Sequence, residues 1–285
     1  MLNTNLNEIF KAQLTHDEFD KLSKFIYKES GIKMPPVKKV MLQSRLQKRL
    51  RHLNILNFKD YIDYVFSKDG LNDELIHMLD VVSTNKTDFF REPVHFDFLS
   101  KEALPQFILD NNNPKTIKVW SAGCSSGEEP YTLAIVLEDF AEKNPGFDYS
   151  IVGTDISTDI LQKAVDAVYK DDRVQVIPIE TKRKYFLRSK DRVNSTVKVA
   201  PNLRRKVRFG RLNFMDSYYD VPEMFDVVFC RNVLIYFDRE TQEKVIQKLC
   251  AKLKPNGYFF LGHSESIMNM DVPLKQVKPT IFRRI

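Results

Sequence analysis

Residues 119–131 read Val-Trp-Ser-Ala-Gly-Cys-Ser-Ser-Gly-Glu-Glu-Pro-Tyr, an apolar strand end followed by a turn of small residues that opens a helix. Small residues allow a backbone to approach a ligand closely, and the first turn of a helix offers unpaired N–H groups. Gly123 and Gly127 therefore predict a binding loop. The alternative interpretation is a plain strand-to-helix connection in which Glu128 and Glu129 complement the helix dipole.

The two glutamates restrict the class of ligand. Carboxylates at this turn would repel a pyrophosphate, whereas they suit a ligand that carries hydroxyls and positive charge. S-adenosylmethionine, with its ribose, ammonium and sulfonium groups, fits that description better than a dinucleotide does. A dehydrogenase is the less favoured class, because the spacing of Gly123 and Gly127 also departs from the dinucleotide fingerprint.

Length and composition indicate a globular protein of about two domains. The chain has 285 residues, of which 43% are hydrophobic and 12% aromatic, enough for a buried core. Apolar runs such as 227–230 and 258–261 are too short for a membrane span, and no signal pattern opens the chain, so we expect a cytoplasmic protein without membrane insertion. Neither the three cysteines nor the five histidines are grouped, so we expect no disulfide framework and no metal site.

The net charge of +6 is unevenly distributed. Residues 30–59 contain eight lysines and arginines and no acid, and a second basic cluster spans residues 182–211. Such a block indicates an acidic partner. Nucleic acid, a membrane surface and an acidic protein remain open on charge alone.

The first part of the chain has helical periodicity. Thr15 and Glu18 form a capping-box pattern, and a helix after Pro35-Pro36 carries one apolar stripe of leucines at positions 42, 46, 50 and 53. We therefore expect a basic helical domain over residues 1–82. Residues 83–114 are expected to form a linker and a helix that complete the cofactor site.

Residues 115–285 alternate apolar runs with helical segments, which predicts an α/β domain with a doubly wound parallel sheet. We expect strands at 117–120, 149–154, 207–212, 225–230 and 258–262, and helices at 130–140, 160–167 and 239–253. Residues 171–206 interrupt the alternation. They predict an inserted antiparallel hairpin with strands at 185–187 and 196–199.

Ligands of doubly wound sheets bind past the carboxyl ends of the strands, so residues there are candidate binding residues. Asp155 follows the second strand at the distance expected of an acid that accepts hydrogen bonds from ribose hydroxyls, although it could instead cap a helix. Asn213 and Phe214 could hold the edge and face of an adenine, although Asn213 could be a turn residue. Residues 231–236 follow a further strand.

Four ordered segments resemble the CheR family of chemotaxis receptor methyltransferases, namely residues 83–92, 120–131, 229–238 and 262–266. The resemblance covers nearly the whole chain from about residue 15. It implies a Rossmann-like class I methyltransferase fold. It also implies transfer of a methyl group from S-adenosylmethionine to glutamate side chains of chemoreceptors, which forms methyl esters during sensory adaptation.

The resemblance also implies roles for individual residues. Arg91 and Tyr236 would lie nearest the methyl group as catalytic residues. The cofactor would be surrounded by Asn85, Thr87, Arg91, Gly123, Glu129, Asp155, Asn213, Phe214, Asn232 and Val233. The basic helical domain would dock on cytoplasmic receptor helices through Lys38, Arg45, Lys48, Arg49 and Arg51. The insertion resembles a β-subdomain that grips a receptor tether in some members, but its tip at 189–194 lacks the glycine of tether-binding loops, which argues against tether binding here.

The chemistry agrees with a carboxylate substrate. A glutamate has a pKa of about 4.3, so it is already ionised at neutral pH and needs no general base. A nucleic-acid methyltransferase would need an Asn/Asp-Pro-Pro-aromatic motif or a thiol nucleophile, whereas residues 231–236 read Arg-Asn-Val-Leu-Ile-Tyr. A silent cofactor-binding module is a third interpretation, which would keep Asp155 and Glu129 without requiring Arg91 or Tyr236.

Overall fold

The computed structural model describes residues 9, 11–110, 116–191, 193 and 195–285. The predicted break at 111–114 and positions 192 and 194 of the hairpin tip lie outside these ranges. The amino-terminal part is helical, with α1 at His16–Ser30, α2 at Lys39–Leu53, α3 at Phe58–Val65 and α4 at Lys68–Val82. A short 3-10 helix at Pro36–Lys38 precedes α2.

The predicted capping box and leucine stripe are confirmed. Thr15 Oγ1 accepts the Glu18 N–H at 3.2 Å, and Glu18 Oε2 accepts the Thr15 N–H at 2.8 Å, which satisfies two of the free donors at the start of α1. Three of the four leucines of α2 are fully buried, and Leu53 lies half-buried at the edge of the same core. The amphipathic pattern therefore packs these helices into a core of their own.

A seven-stranded sheet forms the centre of the second part, in the order β6-β2-β1-β7-β8-β10-β9. Its five parallel strands are β1 at Ile117–Ala122, β2 at Tyr149–Asp155, β6 at Val207–Arg211, β7 at Phe225–Cys230 and β8 at Leu253–Leu261. The doubly wound prediction is confirmed. Alternate residues fill opposite faces: Val119 and Phe229 join one apolar cluster, and Trp120 and Val228 the other.

The last two strands were not predicted from the sequence. They are β9 at Leu274–Lys278 and β10 at Ile281–Arg284, which add an antiparallel hairpin to β8. In β9 the strand is exposed over residues 275–278 and rich in lysine, as edge strands are. It therefore lacks the apolar pattern that reveals a buried strand.

Helices cover both faces of the sheet. They are α5 at Pro93–Phe98, continued by a π-helical turn at Leu99–Ala103 into α6 at Leu104–Asp110, α7 at Glu128–Lys143, α8 at Thr158–Asp166 and α11 at Arg239–Lys252.

The order of the strands creates a switch point beside β1. The chain runs from β1 to β2 on one side of β1, whereas β7 pairs with β1 on the other side. The carboxyl ends of these three strands therefore meet at the place where such sheets bind ligands. No helix of the described ranges has the length and apolarity that crossing a membrane requires.

The insertion is a three-stranded antiparallel sheet in the order β3-β5-β4, with β3 at Val168–Lys170, β4 at Phe186–Arg188 and β5 at Thr196–Val199. Two short helices accompany it, α9 at Ile179–Tyr185 and α10 at Pro201–Arg204. The predicted hairpin is confirmed as β4 and β5. The sheet also includes β3, which begins directly after α8, where Ala167 turns the chain with a φ of 55°, and ahead of the expected boundary at about residue 171.

Candidate active site

A cleft of about 980 Å³, including its open mouth, lies at the switch point between the sheet and the helical part. Every residue predicted to bind the cofactor lines it, together with Tyr236: Asn85, Thr87, Arg91, Gly123, Glu129, Asp155, Asn213, Phe214, Asn232 and Val233. Positions separated by up to 151 places in the chain are thus brought together. The helical part supplies one wall, which the sequence did not reveal, through Ser30, Ile32, Met34, Lys38 and Met41.

The turn after β1 needs glycine at two places because its backbone is left-handed there. Gly123 has a φ of 83° and Gly127 a φ of 94°. A Cβ at Gly123 would lie 2.4 Å from Val233 Cγ2, and one at Gly127 would lie 2.9 Å from Ala164 Cβ. Gly123 lines the cleft, whereas Gly127 does not and instead packs closely against Ala164.

The acid at the end of β2 is buried beside the cleft. Asp155 Oδ2 accepts the Ser125 N–H at 2.8 Å, and Oδ1 accepts the Ser157 N–H at 3.1 Å. Burial raises the pKa of the Asp155 carboxyl, although these backbone N–H groups oppose the shift. The N-cap of α8 is Ser157, whose side chain accepts the Ile160 N–H, so the helix-cap interpretation of Asp155 was wrong.

The two glutamates of the turn point in different directions. Glu129 lines the cleft, where Oε1 accepts the Ser121 hydroxyl and Oε2 accepts Arg231 Nε, both at 2.7 Å. Glu128 instead forms an ion pair with Arg173 of the insertion at 2.9 Å. Of the two acids expected to face the ligand, only Glu129 lines the cleft. Side chains of successive helix residues point about 100° apart, so only one of these two neighbouring glutamates faces the cleft.

Arg231 is the buried centre of the cleft wall. Its Nη1 donates to Arg91 O at 2.7 Å and lies 3.5 Å from Glu92 Oε2. The guanidinium also lies over the Phe96 and Phe229 rings, at 5.1 and 5.4 Å from their centroids. Its side chain is only 2% exposed, so its charge is compensated entirely by these neighbours and Glu129.

A histidine beside Arg231 is held neutral. His95 Nδ1 lies 3.1 Å from Arg231 Nη1, and Nε2 lies 2.8 Å from Thr280 Oγ1. Burial and the Arg231 charge lower the pKa of His95 to about 4. Because Arg231 is always a donor, Nδ1 is the acceptor and Nε2 carries the proton.

Contrary to the expectation that no metal-ligand types are grouped, the structure brings Glu92, His95 and His263 together, with ligand atoms within 4.8 Å of one another. The fold does this across residues far apart in the chain. Arg231 contacts both Glu92 and His95, so a cation would meet an arginine at this place. The cluster is therefore part of an ion-pair network.

The two predicted catalytic residues face the cleft. Arg91 donates from Nη1 to Lys86 O at 3.0 Å and forms no ion pair with any residue of the described ranges. Its neighbour Glu92 turns to Arg231 instead, so a surface salt bridge between Arg91 and Glu92 is absent. Tyr236 is half-buried, and Lys38 Nζ lies 5.8 Å from the centroid of its ring.

The predicted adenine-binding pair also makes contacts within the protein. Asn213 Nδ2 donates to Glu29 O at 2.6 Å, and Oδ1 accepts the Met215 N–H at 3.0 Å. This side chain therefore joins the sheet to the end of α1. Phe214 is 8% exposed and meets Phe237 edge-on, with ring centroids 6.2 Å apart.

The basic residues of α2 divide into two groups. Arg45 donates to the carbonyls of Val82 and Ser83, and Arg49 pairs with the buried Glu74 at 2.7 Å. These two arginines fix α2 to α4, which the charge pattern could not distinguish from docking. Of the other predicted docking residues, Lys48 is exposed, and Lys38 and Arg51 are half-buried.

Comparison with known families agrees with this architecture. Residues 85–282 match the CheR methyltransferase family over its SAM-binding domain, and residues 17–83 match its all-alpha domain. The chain belongs to the CheR methyltransferase family. A CheR-family relative in Borreliella burgdorferi, a chemotaxis protein methyltransferase, is 38% identical over 99% of this chain and 100% of its own length.

Two further CheR-family relatives are similarly complete. Chemotaxis protein methyltransferase 2 of Pseudomonas aeruginosa is 34% identical over 94% of this chain and 93% of its own length. The chemotaxis protein methyltransferase of Escherichia coli is 34% identical over 92% of this chain and 88% of its own. This CheR-family chain is thus a methyltransferase enzyme with S-adenosylmethionine as its cofactor.

Arg231 lines this CheR-family cleft but was not among the cofactor residues predicted from the sequence. It lies in the segment 229–238 that carried the resemblance, directly before Asn232. The available signal was an arginine immediately after the apolar run 227–230, because such a position is buried and its charge requires partners.

Proposed function

We propose that the cleft binds S-adenosylmethionine and that the enzyme transfers its methyl group to glutamate carboxylates on cytoplasmic helices of a chemoreceptor. The observation that carries this proposal is the Arg91 guanidinium, which faces the cleft without an ion-pair partner among the described residues. A guanidinium matches the planar geometry of a carboxylate. Arg91 would orient the incoming glutamate.

The charge of the cleft wall supports an anionic substrate. Four cationic side chains line it, namely Lys38, Lys86, Arg91 and Arg231, against two carboxylates, Glu129 and Asp155. Arg231 already compensates Glu129. The cations at the open side are therefore available to a substrate carboxylate.

The reaction is an in-line displacement that moves no proton. A carboxylate oxygen forms a bond to the methyl carbon as the bond from carbon to sulfur breaks, and the electron pair stays on sulfur to give S-adenosylhomocysteine. No histidine or cysteine is among the described residues that line the cleft, which agrees with a nucleophile that needs no base. Opposite charges disappear in this transition state, so alignment and exclusion of water supply the rate.

Individual residues of the cleft have separate roles in this proposal. Asp155 would accept hydrogen bonds from the ribose hydroxyls, and Phe214 would contact the adenine. Tyr236 would line the path of the methyl group. Asn85, Thr87, Gly123, Asn232 and Val233 would complete the cofactor site as lining residues.

We assign residues 1–82 to receptor docking, 83–114 to a connection that completes the cofactor site, and 115–285 to catalysis. Within the first segment, Lys38, Lys48 and Arg51 remain candidates for contacts with acidic receptor helices. We place the reaction in the cytoplasm, since the three cysteines are free and buried, as a reducing compartment permits.

The product identifies the substrate class. The enzyme is incubated with methyl-labelled S-adenosylmethionine and acidic receptor helices, and the labelled protein is then treated with alkali. A carboxyl ester releases its label as volatile methanol. Label that survives alkali on the protein, or that transfers to nucleic acid in a parallel reaction, would overturn the proposal.

A further inference from the structure

Glu265 is a buried carboxylate that accepts four backbone hydrogen bonds. Its Oε2 accepts the N–H groups of Gly262 at 2.7 Å and Asn232 at 2.9 Å. Its Oε1 accepts those of Leu234 at 2.8 Å and Val233 at 2.9 Å. One side chain thus satisfies donors from two loops, the one after β7 and the one after β8.

Three of these donors belong to the loop that enters the cleft. Asn232 and Val233 line the cleft directly, and Leu234 begins a 3-10 helix at Leu234–Tyr236 that carries Tyr236. The first N–H groups of a helix have no partner within the helix, and a carboxylate is the acceptor that stabilises them most. Glu265 therefore caps the turn that holds Tyr236.

The same junction has no free space. Asn232 is left-handed with a φ of 60°, a conformation that needs support from its surroundings. A Cβ at Gly262 would lie 2.5 Å from Asn232 Nδ2 and 2.9 Å from Asn232 N. The two loops thus approach each other closely at Gly262 and Asn232, and Glu265 joins them through four backbone N–H groups. Glu92 adds two longer contacts, because its Oε1 accepts Asn232 Nδ2 and the His263 N–H, both at 3.3 Å.

We propose that Glu265 is a positioning residue that sets the loop of residues 232–236 against the cofactor cleft. It contacts neither cofactor nor substrate in this account and acts through Asn232, Val233 and Tyr236. The expected effect of Glu265 on turnover rests on the proposed function. The affinity for S-adenosylhomocysteine tests it independently, since Asn232 and Val233 line the cleft.

The test uses Glu265→Gln in the full-length protein, because glutamine keeps the shape of glutamate but aims an NH2 group at backbone donors. Calorimetry with S-adenosylhomocysteine should show an affinity at least about tenfold lower than that of the wild type. Turnover should fall further, since Tyr236 shifts as well. An affinity within twofold of the wild type would overturn the proposal.

A matched control separates positioning from stability. Asp226 lies near the opposite end of β7, is 7% exposed, and accepts the Lys118 N–H and Lys254 Nζ, both at 2.8 Å. Asp226→Asn should lower thermal stability and leave the affinity unchanged. Equal affinity losses in both variants would assign Glu265 a merely structural role and would overturn the proposal.

A second variant perturbs the junction without removing the carboxylate. Gly262→Ala introduces a Cβ that forces the two loops apart, and we expect the same loss of S-adenosylhomocysteine affinity. Gly210→Ala on β6 is its control, because a Cβ there meets nothing within 4 Å. Unchanged affinity in Gly262→Ala would overturn the proposal even if Glu265→Gln failed to fold. Absent glutamate methylation in the wild type would refute the proposed function alone.

Discussion

Arg231 Nε lies 2.7 Å from Glu129 Oε2, and both side chains are buried in the wall of the cleft. The same guanidinium donates to Arg91 O at 2.7 Å. One buried cation thus links the start of α7, the end of β7 and the segment that carries Arg91. The backbone of Arg91, the proposed catalytic arginine, is held by this link.

Arg231→Met should unfold the protein more easily. The substitution keeps much of the side-chain length but leaves Glu129 and Glu92 without their buried cation, which costs about 3–5 kcal/mol in the free energy of unfolding. Urea denaturation measures the loss. Arg283→Met is the control, since its ion pair with Asp110 has the same 2.7 Å length but is about one-third exposed, and should cost less than about 1 kcal/mol. Equal losses of unfolding free energy in the two variants would show that the buried ion pairs of Arg231 stabilise the protein no more than an exposed pair does.

Arg91→Ala should separate binding from turnover. In the proposed mechanism this arginine orients the substrate carboxylate, so its removal should lower turnover by about a hundredfold or more while the affinity for S-adenosylhomocysteine changes little. Arg91→Lys should restore part of the rate, because the charge remains but the planar fork is lost. Arg208→Ala, an exposed arginine on β6, should behave like the wild type. Undiminished turnover in Arg91→Ala would remove this residue from the mechanism.

Protonation of His95 should destabilise the protein at acid pH. Above pH 6.5, His95 is neutral in both folded and unfolded chains and contributes no pH dependence. Below pH 6.5, His95 binds a proton in the unfolded chain, whereas in the folded chain it stays neutral until the pH approaches its pKa of about 4. The free energy of unfolding should therefore fall by as much as about 3 kcal/mol between pH 6.5 and pH 4.

Comparison with a variant isolates this contribution from other titrating groups. His95→Gln lacks the titrating ring, so its free energy of unfolding should depend less on pH over the same window. Denaturation series at pH 7 and pH 4.5 measure the difference between the two proteins. Parallel losses in wild type and variant would show that His95 is not responsible.

Asp155→Asn should weaken cofactor binding. Hydrogen bonds to a charged acceptor contribute about 1.5–3 kcal/mol, which corresponds to an affinity loss of about tenfold to a hundredfold. Because burial raises the pKa of this carboxyl, the wild-type affinity should fall as the pH is lowered and the acceptor is protonated. The variant should lack that dependence. Calorimetry with S-adenosylhomocysteine at several pH values checks both points, and identical pH curves would exclude Asp155.

The fold was predictable wherever burial leaves a periodic pattern. Residues 225–230 read as a strand because five of the six are apolar in one short run, and α2 reads as a helix through leucines one turn apart. The exposed β9 carries no such signal. The cleft residues that follow strand ends could be predicted, because the carboxyl ends of parallel strands meet at one edge of the sheet. The Arg231 network was not, since its ion pairs join positions 102 and 139 places apart.

The dependence of methyl transfer on pH tests the central claim that an ionised carboxylate accepts the methyl group without removal of a proton. Single-turnover rates are measured with saturating S-adenosylmethionine and receptor helices between pH 6 and pH 8.5. With a glutamate pKa of about 4.3, the rate should stay constant within about twofold. A rate that rises about tenfold per pH unit through part of this range would reveal an essential general base and contradict the account.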